Sequence, residues 1–242
     1  MSGLESEKMK MQGKWPGFIT GNQLKMIALL AMTCDHVGKE LFPWAVWLQV
    51  IGRLAFPIFA YMIAEGCIHT KNRKRYLFLI SGVALICQIV YFVALGSLYQ
   101  SVLVTFALAI MLIYVADVVK AKLPVPVAAL IIALCFGLVW FISVELPALL
   151  WWTDYSIDYG FAGILLVVGI YYAGKPLTKL LMTTAILIVL SITFGGIQWY
   201  ALLALPLLAM YSGRRGKMNL KYLFYIYYPV HLVCIYLISL II

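Results

Sequence analysis

The chain has 242 residues, 65% of them hydrophobic and 11% charged, with a mean hydropathy of +1.01. Water-soluble domains carry about 25% charged residues and about half apolar ones, so a soluble globular protein is excluded and the chemistry belongs in or at a bilayer. The net charge of +9, from 18 Lys and Arg against 9 Asp and Glu, does not point to nucleic acid, because the basic residues fill short gaps between apolar runs, where they orient a membrane protein.

In chain order, residues 1–21 are polar and contain no apolar core before a small-residue cleavage site. They read as a retained cytoplasmic tail, with no removable signal peptide. Residues 22–242 then read as one all-α, polytopic transmembrane domain; at one span per ~20 apolar residues the length holds roughly nine helices. The apolar runs place them at 23–41, 44–68, 76–96, 101–119, 123–142, 159–174, 178–194, 197–211 and 222–242. Pro43 marks a tight turn between the first two, and Gly195-Gly196 predicts a close antiparallel hairpin of the seventh and eighth. Residues 143–158 carry Glu145, Asp154 and Asp158 beside Trp151 and Trp152, which suits an external segment lying in the interface. No internal repeat is present.

With the N-terminus cytoplasmic, sixteen Lys and Arg gather on one face and Lys39 alone on the other, Arg53 being inside a span. That asymmetry sets the orientation and supports the helix count, since adding or omitting a span would scatter the basic loops over both faces. The five cysteines (Cys34, Cys67, Cys87, Cys135, Cys234) stand singly in apolar runs, so neither a disulfide framework nor a metal site is expected.

Ionisable groups inside spans cost about 2.5 to 3.5 kcal/mol each even on the lenient insertion scale, so each needs a partner or a task. Asp35 and His36 lie in the first span, Arg53 and Glu65 in the second, His231 in the ninth; Lys25, His69 and Asp117 lie near ends. Counted from Pro43, Asp35, His36 and Arg53 share a depth near mid-membrane, and His231 reaches a similar level two residues after Pro229, which frees a carbonyl. Asp35 and His36 are about 100° apart on a helix, so they are no dyad by themselves, and Asp35 is expected to pair with Arg53. Lys25 and His36, eleven residues apart, fall on one face about 16 Å apart along the axis. That suits a long substrate with an anionic head at the interface and a reactive end at depth, the shape of an acyl-coenzyme A. Structural roles stand beside these: packing histidines at 36 and 231, an Asp35–Arg53 helix fastener, Lys25 as interfacial anchor, the run His69–Arg75 (HTKNRKR) as topology signal, and Tyr225, Tyr227 and Tyr228 in an aromatic belt.

The blocks LKMIALLAMTCDHVG (24–38), IGRLAFPIFAYMIAEGCIHTKNRKRY (51–76) and YYPVHL (227–232), with DYGFAG (158–163), resemble the TraX family, integral membrane proteins named for N-acetylation of conjugative pilin. The match covers the first two spans, the basic loop after them and the last span; the middle spans match only in hydropathy. The family is similar to membrane acyltransferases of the acyltransferase-3 kind, in which ten residues intervene between a Lys or Arg and a His in the first span, as between Lys25 and His36. The resemblance implies acetyl transfer from cytoplasmic acetyl-CoA, as co-substrate and without a metal, to an amine or hydroxyl of an envelope protein, glycan or lipid. It implies a multi-pass protein of the inner or plasma membrane. It makes His36 the base, in a catalytic group with Asp35, Arg53 and His231. Lys25, Glu65, His69, Lys71, Arg73, Lys74 and Arg75 fall on the coenzyme side, the cations meeting its phosphates. The alternative is a proton-coupled transporter or ion relay using the same His, Asp and Arg residues; the lack of repeated halves favours the enzyme.

Overall fold

The computed structural model describes residues 17–217 and 221–241. The expected tail and its Lys8, Lys10 and Lys14 therefore lie almost wholly outside the described residues. Helix dominates, and among the described residues there is no β-strand, only isolated bridges at Ile19–Tyr211 and Gln100–Ile157. The helices in chain order are α1 (Gly21–Glu40), α2 (Val46–Gly52), α3 (Ala55–His69), α4 (Arg73–Leu95), α5 (Val102–Lys122), α6 (Val125–Trp140), α7 (Leu146–Leu149), α8 (Gly160–Tyr172), α9 (Pro176–Phe194), α10 (Ala204–Ala209) and α11 (Lys221–Ser239). A π turn, Phe141–Glu145, joins α6 to α7, and a 3-10 stretch, Gly196–Leu203, leads into α10. Among the described residues, five stretches are long and apolar enough to cross a membrane: Val46–His69, Arg73–Leu95, Val102–Lys122, Val125–Leu149 and Pro176–Phe194.

Each of the nine expected runs is helical, with two corrections of detail. The second run is broken between Gly52 and Ala55, because Pro57 has no N–H to bond the Arg53 carbonyl four residues back. The fifth run does not end at 142: helix continues to Leu149, into the stretch expected to lie wholly in the interface. Its polar groups are met within the helix, Ser143 Oγ donating to the Val139 carbonyl at 2.6 Å and Trp140 Nε1 to Glu145 at 3.1 Å. Trp151 and Trp152 beyond it are exposed, as an interfacial pair would be.

Local chemistry sets the remaining boundaries. Thr20 and Gln23 form a reciprocal capping box at the start of α1, Asn72 caps α4 by accepting from the Arg75 N–H at 2.9 Å, and Gly96, at φ 62°, ends α4 in the left-handed conformation. The core centres on α3, which packs against α1, α5 and α8; α11 closes on α1 and α4. By contrast α6 buries only Ala128 and Val139. A helix apolar all round, with most of its surface outside the bundle, matches a lipid-facing position.

Candidate functional site

The buried face of α1 carries Leu24, Ala28, Ala31, Met32 and Asp35 inward. Asp35 meets α2 at a near-contact of backbones: a Cβ on Gly52 would lie 2.3 Å from Asp35 Cβ, so only glycine fits. This crossing lets Arg53 bond Asp35, as expected from the depth count, and Lys39 Nζ binds the other carboxylate oxygen at 2.6 Å. Arg53 also reaches Gln198 Oε1 at 3.4 Å. The carboxylate is thus committed to two cations, and the arrangement fixes α1, the α2–α3 break and the 3-10 stretch together.

His36, one residue on, turns to the neighbouring face and meets α11. Its Nδ1 lies 2.9 Å from His231 Nε2, and His231 Nδ1 lies 2.9 Å from the Tyr227 carbonyl oxygen. A carbonyl only accepts, so His231 carries its proton on Nδ1 and offers a lone pair on Nε2. His36 then donates from Nδ1, which leaves the lone pair of its Nε2 free. The second ring is held in turn by Tyr227, which stacks on it at 5.2 Å and 11° and whose hydroxyl is 2.8 Å from Thr33 Oγ1 on α1. The result is a base oriented by an orienter, the logic of hydrolase triads without the carboxylate.

Two chambers meet along α1. The one beside the start of α1, called inner, about 520 Å³, is lined by Lys25, Glu65, His69 and Arg215 among apolar and tyrosine side chains; the one beside its end, called outer, about 300 Å³, is lined by Asp35, His36, Lys39, Tyr99 and Asp158 among others. Met32, Phe59, Val102 and Tyr228 border both, so the chambers adjoin at a collar of four apolar and aromatic side chains. The inner mouth is tied shut on one side by backbone pairing: Gly21 N–H donates to the Arg214 carbonyl at 2.8 Å and Asn22 N–H to that of Arg215 at 2.9 Å. That pairing brings Arg215, far away in sequence, beside Lys25.

Of the residues expected on the coenzyme side, Lys25, Glu65 and His69 line the inner chamber, whereas Lys71, Arg73, Lys74 and Arg75 do not. Lys71, Lys74 and Arg75 are exposed. Arg73 binds Asp117 at 3.0 Å, reaches the Tyr171 hydroxyl at 3.3 Å and covers the Tyr114 ring, which ties α4 to α5 and α8. Glu65 is buried and bonded to Lys179 Nζ at 2.5 Å, with His69 Nε2 and the Tyr211 hydroxyl each at 3.4 Å. Of the residues expected to form the catalytic group, Asp35 and His36 line the outer chamber, while Arg53 and His231 stand behind them. Sequence reasoning missed Lys179, counted there as a loop cation. It is fully buried one turn into α9, and an in-span Glu65 that needs a partner was the available signal. Arg215, Tyr99 and Asp158 were also missed; all three sit in or at loops, where no periodicity announces direction.

The family model for TraX protein matches residues 20–239. A probable fimbrial assembly protein, FimC of serogroup H1, from Dichelobacter nodosus is 27% identical over 247 aligned positions, covering 87% of this chain and 91% of its own length. An uncharacterized protein, RP591, from Rickettsia prowazekii (strain Madrid E) is 37% identical over 62 residues, 26% of this chain and 24% of its own. No solved structure matches. The chain belongs to the TraX family.

Proposed function

We propose, with that membership as premise, that the chain is a nine-span acetyltransferase of the inner or plasma membrane, N-terminus cytoplasmic. It moves an acetyl group from cytoplasmic acetyl-CoA to an amine or hydroxyl of an envelope acceptor. The observation that carries the reading is the pair of chambers meeting at a collar, with a cation-bearing mouth on the inner one and the free nitrogen of a neutral, hydrogen-bonded histidine beside the outer one.

Coenzyme phosphates need charged donors, and Lys25 and Arg215 at the inner mouth supply them. Lys25 and His36 lie about 16 Å apart along α1, so a pantetheine arm held at the mouth carries its thioester through the collar to His36. The acceptor enters from the outer chamber. His36 Nε2 removes its proton as the new bond forms to the carbonyl carbon, then returns the proton to the departing sulfur. His231 holds the imidazole in the required tautomer, and Asp35 with Arg53 and Lys39 fixes α1 beside it. The D. nodosus relative is named as a fimbrial assembly protein, which sets a pilin-like polypeptide beside glycan and lipid as acceptor. Purified protein in nanodiscs, given acetyl-CoA, should bind it saturably and release free CoA slowly. Absence of both would sink the reading.

The abutting chambers also favour a second reading, a proton relay through His36 and His231. Proteoliposomes with an imposed pH gradient separate the two: proton flux without acetyl-CoA turnover would support the relay.

A further inference from the structure

Three carboxylates line the outer chamber; Glu40 is exposed at the end of α1, and the other two sit in unlike settings. Asp35 is bound by Lys39 and Arg53, whereas the side chain hydrogen-bonded to Asp158 is the neutral Tyr99 hydroxyl. The fold goes to some length to present Asp158 there. Its N–H donates to the Gln100 carbonyl at 3.0 Å, and its own carbonyl accepts from Thr105 Oγ1 at 2.5 Å. The next residue, Tyr159, is the one described non-glycine residue at positive φ, at 60°, a conformation that is unfavourable for a residue with a Cβ. It is held by stacking on Phe56 at 3.6 Å, and Gly163 makes the room, since a Cβ there would lie 2.5 Å from Tyr159 Cβ. The block DYGFAG is thus a device that turns one carboxylate into the chamber shared with His36.

We infer that Asp158 is the acceptor-side catalytic residue: its carboxylate binds the acceptor's protonated amine and takes the first of the two protons that the amine must lose. The inference rests on the acetyl-transfer reading above. A protonated amine has no lone pair, so one proton must leave before attack and a second as the adduct collapses. Asp158 takes the first and becomes a neutral acid. The amine nitrogen then adds to the thioester carbonyl carbon, His36 Nε2 takes the second proton, the C–S bond breaks, and that proton passes to sulfur to give free CoA. The first proton returns from Asp158 to water on the outer side, so the sum is amide, thiol and one released proton. A hydroxyl acceptor loses one proton only and would need no second base. Burial pushes the Asp158 carboxyl above the ordinary carboxylate value, against the lowering effects of Tyr99, Lys39 and Arg53, which makes it a better acceptor for that first proton.

The test uses full-length protein in native membrane vesicles with radiolabelled acetyl-CoA, so the unidentified acceptor is supplied in place. Label is then treated with alkaline hydroxylamine, which cleaves esters and spares amides, and partitioned into protein, polysaccharide and lipid fractions to show which amine is used. Wild type should give hydroxylamine-resistant label. Asp158→Asn, which keeps both backbone bonds, should lose it by about 100-fold with acetyl-CoA affinity unchanged. Asp158→Glu should recover part of it. Thr105→Val, which removes only a bond to the loop, should lose less than about 10-fold. Ester label in wild type, full label in Asp158→Asn, or equal loss in Thr105→Val overturns the role of Asp158, as does loss of coenzyme binding in Asp158→Asn, which would make it structural. If wild type binds no acetyl-CoA and gives no label, the acetyl-transfer reading itself has failed.

Discussion

The two chambers are built on the same helix and solve opposite problems. The inner one is larger, and basic side chains from three separate segments converge on it, the cations Lys25 on α1 and Arg215 in a loop and the imidazole of His69 at the end of α3. The outer one is smaller, and Lys39 in its wall, with Arg53 behind it, is spent on Asp35, so that apart from the exposed Glu40 the groups facing the space are an imidazole and a hydroxyl-bound carboxylate. A chamber of the first kind holds an anion by charge, and its residues are partly interchangeable. A chamber of the second kind works by the placement of single atoms, so one substitution there should cost far more. That contrast orders the predictions that follow.

The largest effect is expected at His36. Replacement by Ala removes the only free imidazole nitrogen of the pair and should cost 10²- to 10⁴-fold in acetyl transfer, the span of general-base catalysis. Acetyl-CoA binding, which we propose for the other chamber, should persist. Equilibrium binding alongside single-turnover transfer measures both. Loss of binding together with transfer would erase the division of labour between the chambers.

Next is the buried pair Glu65–Lys179. Removing one member strands the other charge, so Lys179→Met should destabilise the protein by about 3–5 kcal/mol, while Glu65→Gln combined with Lys179→Met recovers most of it. Thermal unfolding in detergent reads this directly. The pair fastens α3 to α9 beneath the inner chamber, and an undiminished melting temperature in the single variant would show that Lys179 reaches water.

His231 should matter less than His36 and more than any one inner cation. His231→Phe keeps the stacking but removes the acceptor for His36 Nδ1, freeing the ring to rotate; a misplaced base costs on the order of 10²-fold. Transfer should fall by that order while coenzyme affinity holds. If His231→Phe is more damaging than His36→Ala, the base is His231, and the tautomer chain runs the other way.

What could be read from the sequence follows the same division. The Asp35–Arg53 contact was legible because a turn at Pro43 fixes the depth of both residues; for His36 and His231 only the similar depth was legible, and their contact emerges from the packing of α11 on α1. Helix existence was legible from hydropathy. The break at Gly52–Ala55 was not foreseen, although Pro57 announces it, because a long apolar run hides a missing hydrogen bond. The π turn at Phe141–Glu145 escaped because Glu145 looks like a span terminator until Trp140 is seen to bind it. The chamber wall was legible only in part, at Lys25, Glu65 and His69: a dense basic run such as Lys71–Arg75 draws attention by charge count, yet Arg215 reaches the chamber through backbone pairing between residues 19–22 and 210–215, which no spacing rule encodes.

The smallest effects belong to the cations of the inner side, and here two groups can be set against each other. Arg215→Gln and Lys25→Met each remove a charged donor from the chamber wall. A charge-assisted hydrogen bond contributes about 1.5–3 kcal/mol, so each should weaken acetyl-CoA binding by about 10-fold or more, and the double variant should bind with a shallower dependence on salt. Neutralising Lys71, Lys74 and Arg75 together should change affinity by less than about threefold, since exposed charges off the chamber act only through screened long-range attraction. Isothermal titration across a salt series decides between them. If the triple variant loses more affinity than Arg215→Gln, the phosphates bind on the α3–α4 loop, and the cations of the chamber wall serve something other than the coenzyme.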